Sequence, residues 1–153
     1  MKTKTIAVTL ALCFMTVTFC FASPQMGTWV LNEAKSKIPA GAPKNTKAVY
    51  EAMGDKTKVT VDGVDGDGKP VHNEWTGMFD GKDYPLTGDM SADSRAYKKI
   101  NDRTVELTNK KDGKVTTTGK IVVSADGKSR TVTIHGTNSK GEKVSYTAVY
   151  DKQ

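Results

Sequence analysis

From residue 27 onward the chain reads as short alternating runs of apolar and polar positions. In Thr57-Lys58-Val59-Thr60-Val61-Asp62 the valines share one face and Lys58, Thr60 and Asp62 the other. Arg130-Thr131-Val132-Thr133-Ile134-His135 places Val132 and Ile134 on one face. In the run 144–150, Val144, Tyr146, Ala148 and Tyr150 coincide. A period of two with one apolar face is the pattern of half-buried antiparallel strands. The pattern predicts strands near 27–32, 46–53, 57–63, 70–78, 82–86, 93–100, 103–109, 114–123, 129–137 and 143–151. Their threonine and valine content favours strand over helix. Helical spacing occurs only near Asn32–Lys37, enough for one short turn. The two prolines in 38–45 make that stretch a loop.

The breaks between runs carry turn chemistry. Asp-Gly-Lys recurs at Asp67–Lys69, Asp80–Lys82, Asp112–Lys114 and Asp126–Lys128. Glycine adopts positive φ without steric cost and aspartate tolerates it, so each tripeptide predicts a tight reversal. About ten strands joined by uniformly short turns imply an all-β fold. Closing the sheet removes its edges, which favours an antiparallel up-and-down β-barrel of about 8–10 strands over a sandwich.

Residues 1–22 break this pattern. Lys2 and Lys4 precede an apolar run from Ile6 to Phe21, and Cys20-Phe21-Ala22 ends it with small residues at the positions a signal peptidase reads. The expectation is a cleaved signal peptide (1–22) and a single barrel domain (23–153), exported to the periplasm or outside the cell. Both cysteines, Cys13 and Cys20, lie in the leader. A 131-residue mature chain without them has no disulfide, thiolate metal site or cysteine nucleophile. It keeps 21 basic and 17 acidic residues, a net of +4 spread along the chain. No basic stripe with interleaved aromatics occurs, so no nucleic-acid partner is expected. No membrane span is expected after signal cleavage, and the mature protein is expected to be a monomer.

Met26-Gly27-Thr28-Trp29-Val30-Leu31-Asn32 resembles the Gly-x-Trp opening of lipocalins and related calycin barrels, and the region as a whole is similar to small exported bacterial lipocalin-like proteins. The resemblance implies that Gly27 and Trp29 form a barrel-closing motif, with the indole plugging one end beneath a basic residue. Arg130 and Lys152 are both available for that role. Ten strands fit the fatty-acid-binding-protein branch somewhat better than the eight-stranded lipocalins. Residues 33–45 are, however, too short and proline-broken for that branch's two helices.

Candidate chemistry is sparse. His72 and His135 are each out of phase with the apolar face of their strands. A haem ligand at His135, as in some calycin barrels, is therefore disfavoured by parity. His72-Asn73-Glu74 lacks zinc spacing, and Asp62–Gly68 lacks the terminal glutamate of an EF-hand. No Gly-x-Ser-x-Gly elbow occurs. No catalytic residue, metal site or cofactor is assigned. The expected function is binding of a small apolar or amphipathic molecule in the barrel. Tyr50, Trp75, Arg95, Tyr97, Arg130 and Tyr146 are the candidate ligand-binding residues, with an acid held by Arg95 or Arg130. The alternative is a structural or protein-interaction module whose aromatics simply fill the core. Parity does not place Arg95, because the opposite face of its strand (Ser94, Ala96, Lys98, Ile100) is no more apolar.

Overall fold

The alternating runs become ten strands: β1 (Gly27–Leu31), β2 (Lys44–Met53), β3 (Lys56–Val64), β4 (Pro70–Gly77), β5 (Tyr84–Thr87), β6 (Ser94–Asn101), β7 (Thr104–Lys111), β8 (Lys114–Val123), β9 (Ser129–Thr137) and β10 (Lys143–Lys152). The computed structural model describes residues 23–137 and 141–153. The expected leader lies outside them. Each strand pairs antiparallel with its sequence neighbours, and β1 also pairs with β10, through Trp29↔Lys152 and Leu31↔Tyr150. The sheet is thus a closed, up-and-down, ten-stranded barrel, not a sandwich. One 3-10 turn, Glu33–Lys35, follows β1, capped by the Asn32 side chain accepting from the Lys35 N–H.

Alternation fixes the inside. Trp29, Ala48, Tyr50, Val59, Val61 and Trp75 are buried, as are their in-phase counterparts Tyr97, Leu107, Ile121, Val132 and Tyr150. The repeated Asp-Gly-Lys tripeptide solves its turns in more than one way. At Asp112–Gly113 both residues take positive φ, 49° and 74°, the geometry of a type I′ hairpin turn. At Asp80 and Asp126 the carboxylate instead accepts the N–H of the lysine two residues on, at 3.0 Å in each case.

Three boundaries differ from the sequence expectation by two residues, the others by one or none. β2 begins at Lys44, because the ladder to β3 continues through an irregularity between Asn45 and Lys47. β7 runs on to Lys111. β5 starts at Tyr84 rather than residue 82, because Asp80–Lys82 is spent on a turn that itself pairs with β6: Gly81 N–H donates to Tyr97 O (2.9 Å) and Lys99 N–H to Phe79 O (3.2 Å). β5 is the barrel's weakest stave. It keeps two register pairs with β4 and two with β6, where β9 and β10 share nine.

Candidate functional site

Below Arg130 the barrel is stoppered by its own N-terminal segment. Trp29 has no solvent exposure, and its indole N–H donates to Gln25 O at 2.9 Å. Gln25, also buried, reaches across to donate to Arg103 O at 3.2 Å. Gly27 carries a φ of 109°, a left-handed conformation that disfavours any side chain. A Cβ there would also stand 2.9 Å from Lys152 Cε. The choice between Arg130 and Lys152 resolves to both. The Arg130 guanidinium lies 4.9 Å from the Trp29 ring and the Lys152 ammonium 5.1 Å from it.

Arg130 shares the buried face of β9 with Val132 and Ile134, so its guanidinium points into the lumen and is only 3 % exposed. Three rings surround it, with Tyr50 at 4.7 Å and Tyr150 at 5.1 Å in addition to Trp29. Ring faces attract a cation by about 0.5–2 kcal/mol each. They cannot accept its N–H groups as a carboxylate would. Among the described residues Nε and Nη1 have no hydrogen-bond partner, and Arg130 makes no ion pair. An unpaired buried donor costs about 1–3 kcal/mol, more when charged.

The second buried cation is better satisfied. Arg95 Nε donates to Asn109 Oδ1 at 2.8 Å, and Nη1 lies 3.5 Å from both Asn73 Oδ1 and the Tyr97 hydroxyl. Nη2 is 3.9 Å from Asp89 Oδ2. The Tyr97 hydroxyl also stands 3.4 Å from that of Tyr50, linking the two arginine environments. Burial raises the phenol values of Tyr97 and Tyr150 well above the ordinary 10, so both remain neutral hydrogen-bond donors at physiological pH.

These groups converge on a lumen cavity of about 40 Å³, lined by Tyr50, Arg95, Tyr97, Arg130, Tyr146 and Tyr150 with an aliphatic wall that includes Ile121 and Ile134. Five of the six candidate binding residues therefore meet in one place. Trp75 does not. It is buried among Phe79, Tyr84 and Tyr97, its indole N–H donating to Arg95 O at 2.8 Å, and it supports the strand that carries Arg95. Sequence reasoning passed over Asn73, Asn109 and Asp89, and it placed Tyr150 on the apolar face of its strand without making it a candidate binding residue. Asn73 is in phase with Trp75, and Asn109 with Leu107; polar residues at inward positions were the available signal. A larger hollow of about 220 Å³ lies outside the barrel between Glu33, Ile38 and Lys44, but it is open to solvent and its two charged groups, Lys44 and Glu33, are paired with each other at 2.6 Å.

Both histidines are on the outer surface. His135 Nδ1 lies 2.9 Å from Ser145 Oγ. His72 Nδ1 lies 2.7 Å from Asp62 Oδ1, beside a Lys58–Glu74 pair at 2.9 Å. In the turn between β3 and β4, Asp65 Oδ1 accepts the N–H groups of Asp67 and Lys69. Among the described residues no group of three His, Cys, Asp or Glu side chains is arranged to hold a metal ion, and no helix is long and apolar enough to cross a membrane.

No protein-family model matches the chain, and no curated protein matches it. Two solved barrels are similar over most of its length. One is described as EF1p2_mFAP2b bound to DFHBI, with 12 % identity over 85 % of this chain and 94 % of that one, at a TM-score of 0.48. The other is a redesigned β-barrel, mFAP1, bound to DFHBI, with 17 % identity over 85 % of this chain and 98 % of that one, at a TM-score of 0.44. The fold assignment rests on the strand order itself: this chain is a closed, antiparallel, ten-stranded β-barrel.

Proposed function

We propose that this barrel is an exported, lipocalin-like binding protein for a small amphipathic acid, whose anionic head goes to Arg130. The observation that carries the reading is the pair of orphaned Arg130 nitrogens beside a cavity lined by tyrosines and aliphatic side chains. An oxyanion there would accept the N–H groups that no described residue accepts, and charge-assisted bonds of this kind are the stronger ones. The Tyr50 and Tyr97 hydroxyls add donors of adjustable direction.

The cavity's size restricts what enters. About 40 Å³ holds an acid's head or about three waters. The body of the ligand must then extend past Tyr146, a cavity-wall side chain that is only partly buried. Drug-sized ligands occupy roughly 300–1,000 Å³. That contrast supports a second reading, a structural or interaction module with a filled core, in which water alone answers Arg130.

Native mass spectrometry of the protein recovered from its own host separates the two. The binding reading expects a mass beginning at Ser23 together with a co-purifying acid, and expects Arg130→Met to lose the acid while remaining folded. Ligand-free protein that also fails to bind added octanoate would favour the filled module.

A further inference from the structure

Arg95 and Arg130 are the two buried charged side chains among the described residues, and only one of them has a counter-charge. That counter-charge is Asp89, in the loop between β5 and β6, with its carboxylate 3.9 Å from Arg95 Nη2. The loop holds it there. Asp89 Oδ1 accepts the N–H and the hydroxyl of Ser91 at 2.8 and 2.7 Å. Beyond them Ala92 is buried, and Asp93 ties the loop to β5 and β7 through Leu86 N–H and Lys110 O, both at 2.9 Å. Gly88, at a φ of 80°, turns the chain into the loop against the backbone of His72, where no Cβ fits. Oδ2 is therefore left facing Arg95 at a distance too long for a direct hydrogen bond. Its charge reaches the guanidinium, but it does not occupy the N–H.

We infer that Asp89 is a specificity-determining residue that sets the charge of the ligand's head at minus one. This rests on the lumen reading above. Two arginines against one aspartate leave the lumen a single positive charge in excess. A carboxylate or sulfate-ester head neutralises it. A phosphate monoester, doubly charged above its second ionisation near pH ~6, overfills it and is repelled by Asp89. Without that carboxylate, Arg95 and Arg130 together would match a dianion.

The test compares octyl sulfate with octyl phosphate at about pH 8, where the phosphate is a dianion, by calorimetric titration. The probes share one chain and differ in head charge. The wild-type protein should bind the sulfate at least about tenfold more tightly, a difference of ~1.4 kcal/mol. Asp89→Asn keeps the Oδ1 that Ser91 uses and should erase or invert that preference by tightening the phosphate. Asp89→Glu restores the charge and should restore the preference. A sulfate-to-phosphate ratio unchanged in Asp89→Asn, or a wild-type protein that prefers the phosphate, overturns the assignment and leaves the lumen reading standing. If neither probe binds either protein, the lumen reading falls, and the role of Asp89 with it.

Discussion

Two side chains show how much one residue can carry here. Trp29 fills the barrel end completely, so Trp29→Ala should destabilise the domain by about 3–5 kcal/mol, the range for buried aromatics, as read from denaturant unfolding. A loss below about 1 kcal/mol would mean that the indole is not a plug. His72 is a surface residue with a different signature. Its hydrogen bond to Asp62 is the main reason its imidazole is raised above the ordinary 6.5, aided by the charges of Asp62 and Glu74. A raised folded-state value means that the stabilising contribution is complete below 6.5 and is lost as the pH climbs through the raised value. Lys58, on the same outer face, bonds Glu74 and not the imidazole. Thermal melts of His72→Gln should show a deficit against the wild type in mild acid that disappears in mild alkali. A deficit independent of pH would assign His72 a packing role instead.

The strands were legible because alternation and turn chemistry agreed. All ten runs became strands, with ends displaced by no more than two residues. The misplaced start of β5 has a physical cause. Asp80-Gly81-Lys82 looks like a hairpin turn between strands, but it closes onto β6 and uses residues that β5 would have had. The same geometry hid the inward face of β6. Arg95 and Tyr97 enter the barrel, while Lys98, Lys99 and Ile100 beyond them are all exposed, so the strand shows no period of two along its full length. The aspartate facing Arg95 lies in a loop, where alternation says nothing. β5 also predicts where the barrel loosens first. With two pairs on each side, its amides should exchange with deuterium well before those of β9 and β10 under native conditions. Uniform protection around the barrel would show that its few pairs are compensated by the packing of Tyr84 and Leu86.

At the scale of the molecule, ten staves leave room for a large lumen, yet aromatic side chains and Arg130 fill most of it. The balance between filled and hollow was not readable from composition. It depends on how Trp75, Tyr97, Tyr50 and Tyr150 tilt against one another, with Tyr50–Tyr97 and Trp75–Tyr97 both edge-on, and such angles have no one-dimensional trace. The same packing explains how a cysteine-free barrel coheres, since each strand has a partner on both sides and no edge is left to recruit another chain.

The pairing of β1 with β10 has a topological corollary. Gln153 N–H donates to Thr28 O at 3.0 Å, so the start of the first strand and the end of the last lie side by side at one rim, as at any other hairpin of the barrel. The ladder consequently has no intrinsic first strand. A short splice across that rim and a cut at the exposed Gly54–Asp55 turn would give a circular permutant that keeps every rung, its linear order rotated and its lumen unchanged.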